Sequence, residues 1–108
     1  MTDDVPGSSP RFSRAFEGLC QAREQARDAE SARAVFFDES HQALHELAIN
    51  LQDTDRAAAA ELLEAKARVE ATFDRPATSS LRKEMLDDLI EVAQAGLHSY
   101  SSEVSCSD

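Results

Sequence analysis

An all-α fold, an antiparallel bundle of three to four helices, follows from three observations. From Leu19 to Arg75 the chain contains neither glycine nor proline, the two residues that most often end helices. Ala, Glu, Leu and Arg, all strong helix formers, dominate that interior. Apolar residues recur by threes and fours, and hardly any window alternates as a half-buried strand would. Val35-Phe36-Phe37 is β-prone by composition, but it lies inside a helical pattern.

Residues 1–9 form a Pro/Gly/Ser/Asp leader with little to bury. Ser8 or Ser9 suits an N-cap and Pro10 the first helical position. From Arg11, the spacing of Phe12, Phe16, Leu19, Cys20 and Ala26 predicts an amphipathic helix. The pattern fades from Gln21 to Arg33, where Arg and Glu alternate with Ala. It strengthens again in a face made of Phe37, His41, Leu44, Ala48 and Leu51. Asp28 and Ser31 are possible caps, so a break between Asp28 and Val35 is favoured over one helix of about forty residues across 11–52.

Gln52-Asp53-Thr54-Asp55 ends this segment, with Asp53 or Thr54 capping the next helix. That helix presents Ala58, Ala59, Leu62, Val69 and Phe73, and its alanine run admits a close neighbour. Asp74-Arg75-Pro76-Ala77-Thr78 is a stop and restart. Thr78, Ser79 or Ser80 then caps a last helix that turns Met85, Leu86, Leu89, Ile90, Ala93 and Leu97 inward. Gly96 weakens it near its end. The two short connections force antiparallel neighbours. One domain over 10–100 is expected, followed by a flexible polar tail over 101–108. The predicted core is Phe37, Leu44, Leu51, Leu62, Val69, Phe73, Leu86, Ile90 and Leu97.

At 108 residues with five Phe, one Tyr and no Trp, the core is thin. A thin core predicts a homodimer that buries a second face. The formal charge of −10 is unevenly spread, with a net of −1 over residues 1–35 and −9 over 36–108. This field argues against nucleic acid or an anionic membrane as partner and permits a basic protein. No apolar run approaches the ~20 residues that span a bilayer. The first ten residues lack a basic region followed by an apolar one, so the expected compartment is the cytoplasm. Cys20 falls on an apolar stripe and reads as a small buried hydrophobe. Cys106 reads as a free thiol in an exposed tail, and the pair does not suggest a disulfide framework.

One arrangement has the spacing of a chemical site. His41 and His45 lie one helical turn apart, as in helical metal sites, and Asp38 lies one turn earlier as a third ligand or supporting carboxylate. Glu61, Asp87 and Glu91 are at a suitable height on neighbouring helices, but they fall on the flanks or the far side of their buried stripes. The paired Glu and Glu-x-x-His of di-iron bundles is absent. The competing reading makes His41 a bundle-facing residue with a satisfied hydrogen bond and His45 a flank residue. Phosphotransfer would fall to His45, but Glu46 and Leu47 follow it where a lysine and a small residue are wanted. No nucleophile has a basic partner and no glycine loop cradles a phosphate. The expected role is therefore a non-enzymatic, acidic protein-interaction or regulatory module without a cofactor. The alternative is a bundle binding a transition metal ion through Asp38, His41 and His45.

Overall fold

A computed structural model describes residues 10–74, 77–98 and 104–106. The predicted leader, its Ser8 or Ser9 cap and Pro76 lie outside the described residues. The elements are α1 (Pro10–Glu24), α2 (Ala29–Val35), a π-helical turn (Phe36–Ser40), α3 (His41–Thr54), α4 (Arg56–Asp74) and α5 (Ser79–His98). The segments α2, π turn and α3 run on without interruption, so the described residues form four rods. It is an all-α bundle, as the periodicity predicts. The second rod, at ~1.5 Å per residue, accounts for most of the 44 Å long dimension.

The break between the first two rods falls at residues 25–28, ahead of the expected window of 28–35 and meeting it only at Asp28. Asp28 is the cap. Its carboxylate accepts from the Ser31 backbone N–H at 3.3 Å and from the Ser31 hydroxyl at 3.0 Å. Asp55 both ends α3 and caps α4. Its N–H donates to the Leu51 carbonyl, and its side chain accepts from the Ala58 N–H at 3.1 Å. Asp55 thus replaces the expected Asp53 or Thr54, because α3 continues through both. A one-residue link folds α4 back along α3. Thr78 Oγ1 caps α5 through the Leu81 N–H.

Helix α4 packs between α3 and α5, while α1 lies across the π turn, α2, α3 and α5. The core contains Phe12, Phe16, Leu19, Leu44, Leu47, Leu51, Leu62, Val69, Leu86, Leu89, Ile90 and Leu97. Two members of the predicted core fare differently. Phe73 is only partly buried, and Phe37 is 37% exposed while its neighbour Phe36 is fully buried. The π turn explains the exchange. Counting back from Leu44 at 3.6 residues per turn would bring His41 and Phe37 inward. In the π turn the His41 N–H bonds to the Phe36 carbonyl, five residues back, so each turn takes in more residues. Spacing by four then stays on one face, and Ala32, Phe36, Ser40, Leu44 and Ala48 are the buried series.

Buried Ser40 fits because α1 opposes it with a glycine. The Ser40 hydroxyl donates to the Ala15 carbonyl at 2.6 Å. A Cβ on Gly18 would lie 2.5 Å from Ser40 Oγ and 2.7 Å from Glu39 Cβ. Gly18 therefore sits inside α1 for close approach, at the cost of some helix propensity.

The cysteine reading needs correction. Cys20 and Cys106, separated by 86 residues, form a disulfide with Cα atoms 5.5 Å apart. Residues 104–106 lie back along α5, where the Val104 carbonyl accepts from Gln94 Nε2 at 2.9 Å. Val104 and Cys106 pack against the core, so this described part of the predicted tail is anchored. Cys106 is neither free nor fully exposed. Linear spacing could not reveal a pair that only the stacking of α1 against α5 brings together.

Candidate functional site

The titratable and aromatic residues converge on the outer seam between the second rod and α4. Glu70, on α4, is the hub. Its Oε2 accepts from Lys66 Nζ at 2.6 Å, one turn earlier on the same helix, and lies 2.9 Å from His41 Nδ1 across the seam. Lys66 is buried, with its side chain 8% exposed, whereas His41 is 41% exposed. A carboxylate only accepts, so Nδ1 carries the proton and the outward Nε2 of a neutral ring is left as acceptor. Burial makes the Lys66–Glu70 contact specific, because a shielded ammonium without a counter-charge would be costly.

Above this pair sits a group of rings. The His41 ring centroid is 5.0 Å from that of Phe37 and 6.2 Å from that of Phe36. Phe73 on α4 lies 5.7 Å from Phe36 and 6.2 Å from Phe37. The Arg33 guanidinium stands 5.3 Å over the Phe37 ring, a cation–π contact. Phe36 is the buried root of the cluster and Phe37 its exposed tip.

The three sequence-predicted ligands are not brought together. His41 turns to Glu70. His45 is exposed. Asp38 is exposed and faces a shallow groove between α1 and α3 with Arg14, Glu39 and Gln42. Among the described residues, no group of three His, Cys, Asp or Glu side chains is arranged to hold a metal. Sequence reasoning tested Glu61, Asp87 and Glu91 as facing acids and missed Glu70. Helix α3 runs through Thr54 and a single residue links it to α4, so His41 lies level with Glu70, one turn further along α4 than a connection over residues 52–55 would place it. Asp87 is instead engaged with Arg23 of α1 at 3.3 Å and Lys83 at 3.2 Å.

A second polar cluster is structural. Arg82 on α5 is 5% exposed and donates to the Ala26 carbonyl at 2.6 Å and the Ala77 carbonyl at 3.1 Å. Its Nε has no hydrogen-bond partner among the described residues. The guanidinium thereby satisfies carbonyls at the α1–α2 turn and just before α5. The nearby Asp28 carboxyl is held below its ordinary value of 3.8, first by the Ser31 backbone N–H, then by the Ser31 hydroxyl, with a smaller pull from Arg82.

At the seam a carboxylate-oriented imidazole can accept a proton, and the half-exposed Phe37 beside it offers an apolar contact. No family model, curated protein or solved structure matches the chain. No described helix is long and apolar enough to cross a membrane.

Proposed function

We propose that the chain is a small non-enzymatic interaction module. The observation that carries this reading is the distribution of its large apolar side chains. The bundle closes its core on itself, yet among the described residues three large apolar side chains remain outward, Phe37 (37% exposed) and Ile49 (52% exposed) on the second rod and Leu81 (43% exposed) alone in the first turn of α5. Outward aromatic and branched aliphatic residues on a rigid helix are the usual anchors of a protein contact. A photo-crosslinking residue at position 49 in the native host tests this. A defined adduct is expected from position 49 and none from exposed position 91 on α5. Equal labelling from both would sink the reading.

The homodimer expected from a thin core competes for the same face. The acidic charge carried there opposes self-docking, so the favoured partner is a different, basic protein. The metal alternative retains His41 Nε2 and His45 but finds Asp38 turned toward α1. Native mass spectrometry of protein equilibrated with zinc or copper tests it. Metal retained by the wild-type chain and lost in His41→Ala with His45→Ala would revive that reading. The Cys20–Cys106 bond supports an oxidising compartment over the expected cytoplasm. Rapid alkylation of the native protein checks this. Two modified thiols in the chain would restore the cytoplasmic assignment.

A further inference from the structure

We infer that the outer face of the second rod, from Phe37 to Ile49, docks a cationic amphipathic helical segment of another protein. This rests on the interaction reading above and deepens it. Phe37, His41, His45 and Ile49 follow one another at intervals of four. With the π turn taking up part of the drift, they form a gently winding outward stripe ~18 Å long at 1.5 Å per residue. That length matches about three turns of a partner helix, which would present its own apolar residues at intervals of three and four.

Charge identifies the partner. Residues 36–74, which form the π turn, α3 and α4, hold nine acids against three bases, a net of −6. Helix α1 carries two acids and three bases, a net of +1, and α5 four acids and two bases, a net of −2. The acidity is thus concentrated on the π turn and α3, which bear the stripe of Phe37, His41, His45 and Ile49, and on the α4 helix beside them. The stripe's shoulders are acidic on both sides. Exposed Asp38, Glu39 and Asp53 lie toward α1 or the α3 end, and exposed Asp74 lies on α4 beyond Glu70, which is engaged by Lys66 and His41. Two of the three bases are already committed, Lys66 to Glu70 and Arg68 to Glu64. An apolar centre with acidic shoulders is complementary to a helix with an apolar face edged by Lys and Arg. The charges steer the encounter and reject acidic competitors, and the apolar centre sets the lifetime. Arg33 over Phe37 shows, within the chain, how a ring in this stripe receives a guanidinium.

The test is a titration of the full, disulfide-intact chain with three synthetic peptides, read by amide chemical shifts. One is a Leu/Lys amphipathic helix, the second its scrambled sequence of equal charge, and the third a Leu/Glu amphipathic helix. The expected result is saturable binding of the first alone, with shifts centred on residues 37–49 and the facing part of α4. Affinity should fall as salt rises and drop at least tenfold in Ile49→Ser, whose site is exposed enough to leave the fold intact. Phe37→Ser should act in the same direction, with its fold verified separately by circular dichroism. Equal binding of the scrambled peptide, binding of the Leu/Glu peptide, or shifts centred on α5 would each overturn the proposal. So would a homodimer, seen by sedimentation, that Ile49→Lys dissolves, since a second copy would then own the face. A defined crosslink from position 49 without Leu/Lys peptide binding would reject this partner class while leaving the interaction reading standing.

Discussion

The seam where α1 meets the rest of the bundle and the outer seam between α3 and α4 are built on opposite principles. The α1 seam is closed by contacts that tolerate no exchange: a glycine against a buried serine, a buried guanidinium on backbone carbonyls, and a disulfide. The α3–α4 seam is packed inside by Leu and Ala but ends outside in the half-exposed Phe37 and His41, with the buried Lys66 held by Glu70 beneath them. Stability concentrated in the first region frees the second to display apolar side chains that add little to the fold. The comparison predicts that substitutions at the α1 seam destabilise the protein, whereas a substitution at exposed Ile49 changes only what it binds.

The largest expected effect is loss of the disulfide. Closing a loop of 86 residues constrains the unfolded chain by roughly 4–5 kcal/mol in the chain-entropy account. Cys20→Ser with Cys106→Ser should therefore lower unfolding free energy by about 4 kcal/mol in urea. A change below one would show the α1 seam holding without it. Arg82→Ala comes next, at about 3 kcal/mol, because it strips two charge-assisted bonds and leaves the Ala26 and Ala77 carbonyls unpaired. Gly18→Ala should cost about 2 kcal/mol by overpacking against Ser40 and Glu39. If thermal unfolding shows no loss, α1 can slide and the close approach is not a constraint.

Smaller effects sharpen the contrast. Ile49→Ser should shift stability by less than about 0.5 kcal/mol, the range of ordinary surface positions. A larger loss would mean the face belongs to the core of an assembly. The Asp28 cap adds a pH dependence. Its carboxyl titrates lower in the folded chain than in the unfolded one, so its stabilisation is present above the ordinary value of 3.8 and is lost as pH falls through the folded value. The melting temperature of wild type should thus drop more steeply below pH 4 than that of Asp28→Asn, and parallel acid profiles would remove the cap from the account.

Much of the fold is legible in the sequence because helix periodicity, caps and short connections are local signals. The stripes of α4 and α5 and the Thr78 cap follow directly from residue types a few positions apart. Legibility failed at residues 36–40, where one π turn exchanged Phe36 for Phe37 in the core. Whether a helix accommodates such a turn depends on what it packs against, here Gly18 and Ala15 of α1. The candidate site failed for a different reason: Glu70 becomes level with His41 only because α3 and α4 are joined through Asp55 alone, and turn length sets that register.

By itself the sequence determined the helical class, a bundle of three to four helices, the antiparallel order of the last three and the concentration of acidity on residues 36–108. These follow from propensity, spacing and charge count, which act over one or two helical turns. Only the tertiary structure decided that Cys20 joins Cys106, that Arg82 braces the α1–α2 turn, and that Phe37 rather than Phe36 faces outward. Each of these depends on groups tens of residues apart, or on one helix yielding to the surface of another, and no local pattern encodes either.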